Sequence, residues 1–203
     1  MTTDVELLEA WRGGDGEAGD RLFSRHFDSI YRFFHRKTGD AADLVQRTFL
    51  GCVESRDRFQ QRSSFRTFLF SIARYELYGY WRRNRRQDDL DFGVSSVADL
   101  SATPSRLLAD KRDERLLLEA LRTIPLDHQI ALELHYWEGL TGPQLAEVLE
   151  VPEGTVRSRL DRARKQLRKR LGELSDSPGG LPSTVSDLER WVRSLRGAMG
   201  HEG

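Results

Sequence analysis

Pro152 lies between two runs of helical periodicity, and this constrains the chain more than any other feature. Proline lacks a backbone N–H and its ring clashes with the preceding turn, so no regular helix runs through it, yet a new helix can start at it. On its N-terminal side, Thr141 is placed to cap a helix with Pro143 in the first turn and Leu145, Val148 and Leu149 along one face. On its C-terminal side, Val156, Leu160, Ala163 and Leu167 mark the inner face of a second helix. The outer face of that helix carries Arg157, Ser158, Arg159, Arg162, Arg164, Lys165, Arg168 and Lys169, interrupted only by Glu153 and Asp161. Two short helices, a tight turn and a basic second helix predict a helix-turn-helix whose second helix can enter a DNA major groove. A helical hairpin with a merely solvated basic face is the competing reading. The sparse acids favour phosphate as the partner of the stripe over self-pairing.

The remaining composition sets bounds. The 203 residues, 38% of them hydrophobic, suit two small helical units better than one large core. Units of roughly 70–85 residues bury only about 60% of their unfolded surface, so a large partner would stabilise them. Acids and bases balance at 32 each, and the information lies in their distribution, with basic clusters at 82–86 and 157–170. Cys52 is the single cysteine, which excludes an intrachain disulfide and a cysteine-rich zinc site. The sequence shows neither a basic-then-apolar leader nor a long apolar run, so the expectation is a cytoplasmic protein with no membrane insertion. His26, His35, His128, His135 and His201 have no metal-ligand spacing with neighbouring acids. A Gly-rich phosphate loop and a nucleophile elbow are also missing from the sequence. The chain is expected not to be an enzyme and to use no cofactor or metal.

From the N-terminus, Val5, Leu7, Leu8 and Trp11 predict a short helix ending at Gly13-Gly14. A longer helix follows with Leu22, Phe23, His26, Phe27, Ile30, Tyr31, Phe33 and Phe34 on one broad apolar face, stopped by Gly39. Asp40 is placed to cap a third helix, with Leu44, Val45, Phe49 and Val53 inward and Asp43, Gln46, Arg47 and Glu54 outward. After a polar turn, a helix from about Phe65 to Arg83 is capped by Ser63 or Ser64 and packs through Phe65, Phe68, Leu69, Ile72 and Leu77. Its second half is unusual: Tyr75, Tyr78, Tyr80 and Trp81 cannot all face one core, and Arg82, Arg83, Arg85 and Arg86 follow directly. Aromatic rings beside guanidinium groups suit unpaired bases and their phosphates, at about 1–3 kcal/mol per stacked base. Residues 87–104, with Asp88, Asp89, Asp91 and Asp99, lack periodicity and read as an acidic flexible linker. Helical pattern resumes near Ser105, pauses at Pro125, and continues through Ile130, Leu132, Leu134 and Tyr136 into the helix-turn-helix. The predicted fold is all-α: a helical domain at 1–86, the linker at 87–104, a second helical domain at 105–172 and an extension at 173–203.

The ordered blocks Asp43-Leu44-Val45-Gln46 with Phe49, Ser63-Ser64-Phe65-Arg66-Thr67-Phe68-Leu69 with Ile72-Ala73-Arg74, Tyr136-Trp137-Glu138-Gly139-Leu140 and Pro152 to Leu160 carry a family resemblance. Over roughly Asp20 to Leu171, the chain resembles bacterial RNA polymerase sigma factors of the sigma-70 family, extracytoplasmic-function group, which keep only regions two and four. The resemblance implies a sigma factor that binds core RNA polymerase, recognises −35 and −10 promoter elements and melts the −10 region. It implies that Asp43, Leu44, Gln46 and Phe49 contact the β′ clamp helices. It places Phe59, Arg62, Ser63, Ser64, Arg66, Arg74, Tyr75, Tyr78, Trp81, Arg82 and Arg83 on the −10 DNA, Phe59 to Phe65 forming a loop that captures a flipped base. It places Thr155, Arg157, Ser158, Arg159, Asp161, Arg162 and Lys165 at the −35 element, with Arg159, Arg164 and Lys165 suited to phosphate or the β flap. Promoter DNA, core polymerase and an anti-sigma factor are the implied partners.

The chain departs from the family's pattern at several positions. Tyr75 and Gly79 replace a common Asn and Asp, Phe68 a frequent Trp, Gly142-Pro143 an aromatic-acidic pair, and Asp161 a His or aromatic. A carboxylate in the groove can accept from a cytosine amino group, so Asp161 implies an atypical promoter. Gly79 inside a helix costs about 1 kcal/mol against Ala and is expected to bend it. The extension carries Val185, Leu188, Trp191, Val192, Leu195 and Met199 at helical spacing, which fits either folding back on the chain or a docking peptide. The rival function is a helix-turn-helix regulator that does not act as a polymerase subunit; it leaves the Asp43 block and the Tyr/Trp/Arg helix unexplained.

Overall fold

The computed structural model describes residues 2–60, 63–85, 90–100 and 112–174, with the side chains of 112–114 excepted. Arg62, Arg86, Asp88, Asp89 and the helix expected over 183–199 therefore lie outside the described residues. Apart from one isolated antiparallel bridge between Ser96 and Pro125, regular structure among them is helical. The chain divides into two compact units, Met1–Arg86 and Gln87–Gly203.

In the first unit, α1 (Asp4–Arg12) begins at a capping box in which Thr3 and Glu6 satisfy each other's backbone N–H groups. Leu7, Leu8 and Trp11 are buried on α2 (Gly16–His35), whereas Val5, expected inside, is exposed. The Trp11 indole crosses Gly19 so closely that a Cβ there would lie 2.7 Å from a ring carbon. Helix α2 ends four residues before Gly39 because Lys37 turns inward. Its fully buried Nζ donates to the Phe33 carbonyl at 2.7 Å and sits 4.1 Å over the Phe33 ring, satisfying one of the helix's orphan carbonyls.

Helix α3 (Ala41–Ser55) starts at Asp40, but the Asp40 side chain does not cap it; the carboxylate instead accepts from the Tyr80 hydroxyl at 2.8 Å. A single 3-10 turn, Arg56–Arg58, continues α3. Helix α4 (Phe65–Arg85) is capped by Ser64, whose Oγ accepts from the Thr67 N–H at 3.1 Å, and it runs without interruption through Gly79. Its buried face is Phe65, Thr67, Leu69, Phe70, Ala73, Leu77 and Trp81, not the predicted set with Phe68 and Ile72. Cys52 is enclosed in this core, and burial pushes its thiol up to about 12, which leaves it unreactive.

In the second unit, part of the stretch expected as a flexible linker is packed. Phe92, Val97 and Leu100 are buried, α5 (Val97–Leu100) forms, and the carbonyls of Phe92 and Ser95 accept from Asp127 and Leu126. These apolar residues lie among acids and small residues at no regular spacing, so pattern alone could not reveal them. Helices α6 (Arg112–Arg122), α7 (Leu126–Tyr136), α8 (Gly142–Leu149) and α9 (Glu153–Leu174) complete the unit. Helix α7 is buried almost throughout and is the element on which α8 and α9 pack. Thr141 and Gln144 form a capping box at α8, with Pro143 in its first turn. The turn that follows is closed by Glu150 in the left-handed region (φ 54°), a conformation that side chains adopt rarely. Val156, Leu160, Ala163 and Leu167 face inward on α9 as predicted.

Candidate functional site

Between α2 and α3 the first unit presents an open apolar groove of about 420 Å³, lined by Phe23, Phe27, Tyr31, Ala42, Val45, Gln46, Phe49, Leu50 and Val53. Phe27 is 47% exposed, Tyr31 38%, Leu50 53% and Val53 46%, so large apolar side chains face water in one continuous strip. The rings are ordered against each other, with Phe27 stacked on Tyr31 at 6.2 Å and on Phe49 at 6.4 Å. An apolar strip of this kind, rimmed by polar groups, marks a surface for a protein partner. Of the predicted core-binding residues, Gln46 and Phe49 line the groove, and exposed Asp43 accepts from Arg47 Nε at 2.7 Å. Leu44 is fully buried and cannot touch a partner; it anchors α3 in the core. The sequence did not single out Phe27, Tyr31, Leu50 and Val53 as exposed groove residues. The available signal was the width of the α2 apolar face, broader than the core stripe of one helix needs.

The predicted −10 residues separate into a platform, a helix face and buried supports. Phe59 is buried and stacks on Phe68 at 4.3 Å and 15°, while Phe65 approaches Phe68 at 6.3 Å. Ser63 holds its hydroxyl oxygen enclosed without a hydrogen-bond partner, and Ser64 is engaged in capping. Arg66 lies 5.8 Å from the Phe70 ring centre. On α4, Tyr75 is 74% exposed, the Arg74 guanidinium lies 5.0 Å from the Tyr78 ring, and Arg82 and Arg83 are exposed. Trp81 is only 4% exposed. It packs edge-on against Tyr80 at 5.0 Å, which makes it a core residue and leaves Tyr75 as the free ring of this face.

In the second unit, Arg157, Ser158, Arg162 and Lys165 are exposed on α9. Thr155 is half-buried and its carbonyl accepts from the Ser158 hydroxyl at 3.0 Å. Two predicted contacts are paired within the protein. Arg159 meets Asp127 of α7 at 3.0 Å with its side chain only 17% exposed, so it fastens α9 to α7 rather than reaching outward. Asp161 meets Lys165 at 2.9 Å one turn along, and this hydrogen bond holds its carboxyl below the usual carboxylate range. Arg164 donates to the Tyr136 hydroxyl at 2.8 Å. The basic stripe is therefore less uncompensated than it looks in the sequence, because one partner comes from α7 and another from its own face. His128 pairs with Gln166 at 2.5 Å beneath this face, and burial lowers its pKa. A cleft of about 530 Å³ between α7, α8 and the start of α9 is lined by His135, Glu153 and Arg157 together with Val156 and Leu160.

No described helix is long and apolar enough to cross a membrane, and the described residues contain no cluster of three or more metal-ligating side chains. The sequence matches the family models for Sigma-70 region 2 over residues 22–87 and Sigma-70, region 4 over residues 114–167. It is 30% identical over 183 residues to the ECF RNA polymerase sigma-E factor of Haemophilus influenzae, covering 85% of this chain and 97% of that protein. It is 32% identical over 173 residues to the RNA polymerase sigma factor CarQ of Myxococcus xanthus, covering 82% and 97%. The fold resembles RpoE of Bartonella quintana, solved with the anti-sigma factor NepR, at TM-score 0.58 and 25% identity over 77% of this chain and 98% of that one. It also resembles CnrH, solved with the cytosolic domain of CnrY, at TM-score 0.62 and 22% identity over 85% and 99%. The chain belongs to the extracytoplasmic-function group of sigma-70 family sigma factors, the subunits that direct RNA polymerase to initiate transcription.

Proposed function

We propose that three surfaces divide this work. The groove between α2 and α3 receives the β′ clamp helices of core polymerase: Phe27, Tyr31, Phe49, Leu50 and Val53 supply apolar contact, and Asp43 and Gln46 polar contact at the rim. The Phe59–Phe68 platform, Ser63 and the exposed face of α4 with Tyr75, Tyr78, Arg82 and Arg83 receive the melted −10 strand. Extruding a base costs a few kcal/mol, which ring stacking and phosphate contacts offset. The exposed side of α9 around Arg157, Ser158 and Arg162 reads the −35 element in the major groove, and Lys165 holds phosphate. Asp161 pairs with Lys165 through Oδ2, and its other carboxylate oxygen can accept from a cytosine amino group.

The exposed apolar groove is the observation that carries this reading. A regulator acting on DNA alone has no use for it. In this reading the protein is cytoplasmic and performs no catalysis of its own. An anti-sigma factor restrains it, a reading supported by the solved complex of RpoE with the anti-sigma factor NepR. The direct experiment mixes the purified protein with bacterial core polymerase, tests co-elution, and maps run-off start sites on a promoter library. Stable association with new start sites supports the assignment. Duplex binding without core association would favour the rival regulator.

Arg157 and Arg159 separate base reading from scaffolding. Arg157→Ala is expected to relax −35 selection by about 1–3 kcal/mol, roughly five- to more than a hundredfold, at unchanged melting temperature. Arg159→Ala is expected to lower the melting temperature by breaking the Asp127 pair and to leave base preference in place. Pooled-promoter selection beside thermal melting checks both, and an Arg157 variant with unchanged promoter choice would refute the recognition-helix assignment.

A further inference from the structure

The turn that leads into the −10 platform is held from an element that precedes the region 2 match, which begins at residue 22. At the C-terminal end of α1, Arg12 Nη2 donates to the Arg56 carbonyl at 2.8 Å and to the Phe59 carbonyl. These oxygens lie at the end of the α3 extension, where the Arg56 carbonyl accepts only a long bond of 3.4 Å from the Phe59 N–H. The reverse contact is also made. Arg56 Nη1 donates to the Trp11 carbonyl at 3.3 Å, and its guanidinium lies 4.9 Å from the Trp11 ring. Each arginine thus closes the carboxyl end of the other's segment, α1 by Arg56 and the 3-10 turn by Arg12. Trp11 is in turn fixed edge-on to Phe23 at 5.1 Å and pressed against Gly19.

The consequence falls on Phe59. Its carbonyl is held by Arg12 while its ring stacks on Phe68, so the backbone leaves the turn from a residue pinned on both sides. Glu9 accepts from Arg12 Nη1 at 3.2 Å, which aims the guanidinium without competing for the carbonyl-directed Nη2. The Arg12 side chain is 22% exposed, so its charge-assisted bonds are largely sheltered from water. The groove between α2 and α3 does not include Arg12, Arg56 or Phe59 among its lining residues.

We infer that Arg12 is a positioning residue for −10 recognition: by clasping the Arg56 and Phe59 carbonyls it presets Phe59 in the Phe59–Phe68 platform that meets an extruded promoter base. The inference rests on the proposed −10 role of the Phe59–Phe68 platform. It gives α1 a part in promoter opening, at a distance from any base.

The test uses full-length protein assembled with core polymerase. A promoter carries 2-aminopurine at successive −10 positions, whose fluorescence rises when a base leaves the stack. Wild-type holoenzyme is expected to give a rise at one position. Arg12→Ala is expected to reduce that rise at least fivefold and to flatten base preference there, while core affinity changes less than twofold. Arg12→Lys, which keeps a donor for one carbonyl, should recover part of the signal. Loss of core affinity in proportion to the fluorescence would show a general folding role and overturn the inference, as would an Arg12→Ala protein with the full position-specific rise. A wild-type holoenzyme that binds core and opens DNA without any position-specific rise would instead remove the base-capture reading itself, and the inference with it.

Discussion

A Phe27→Asp, Leu50→Asp double variant is expected to lose core-polymerase binding by two to four orders of magnitude while folding normally. Both side chains face water in the free protein, at 47% and 53% exposure, so replacing them removes little that the fold depends on. In a complex each would bury only the half of its surface still exposed, about half of the 1.5–3 kcal/mol of a full burial, so losing both removes about 1.5–3 kcal/mol of association energy. The new carboxylates would also have to be desolvated against an apolar partner, which pushes in the same direction. Co-elution with core polymerase and titration of a labelled core measure the loss, with circular dichroism and thermal melting as controls. Retained core affinity at unchanged stability would show that the groove serves some other partner. Selective loss of anti-sigma binding in the same variant would identify that partner.

Trp81→Ala is expected to destabilise the first unit by about 3–5 kcal/mol, the usual cost of removing a large buried aromatic side chain. Trp81 is 4% exposed and closes the end of the α4 core beside Tyr80, whose hydroxyl ties α4 to Asp40 at the start of α3. Core binding and promoter opening should therefore fall together. Tyr75→Ala gives the contrasting result: the ring is 74% exposed, so stability should be kept within about 0.5 kcal/mol while opening declines. Thermal melting paired with permanganate footprinting of the −10 region distinguishes the two. A Trp81 variant of normal stability but deficient opening would return Trp81 to the DNA-facing set.

The contrast between these neighbouring rings shows what could be read before the structure. That Tyr75, Tyr78, Tyr80 and Trp81 cannot share one core face follows from helical geometry. Which of them turns inward does not, because their spacings admit more than one rotation of α4 against its neighbours. Packing of Phe70, Ala73 and Leu77 selects the rotation that encloses Trp81 and exposes Tyr75. Val53 is the same problem in reverse: an apolar residue at inward spacing on α3 faces a groove, because no described element of its unit covers that side. Helix α9 repeats it with charge. Arg157 and Arg159 are alike in sequence, and only the approach of Asp127 from α7 separates the exposed one from the fastener.

The all-α class, the break at Pro152, the capping of α8 by Thr141 and the inner face of α9 were legible from the residues before any packing was known. Each depends on interactions within a few residues, where backbone chemistry and periodicity act directly. Tertiary structure alone decided the exposed groove, the pairing of Arg159 and the packing of Phe92 and Leu100 on the second unit. It also decided the clasp of Arg12 on the carbonyls of residues 56 and 59. In each case the partner lies far along the chain, and burial or pairing exists only once the elements have been brought together.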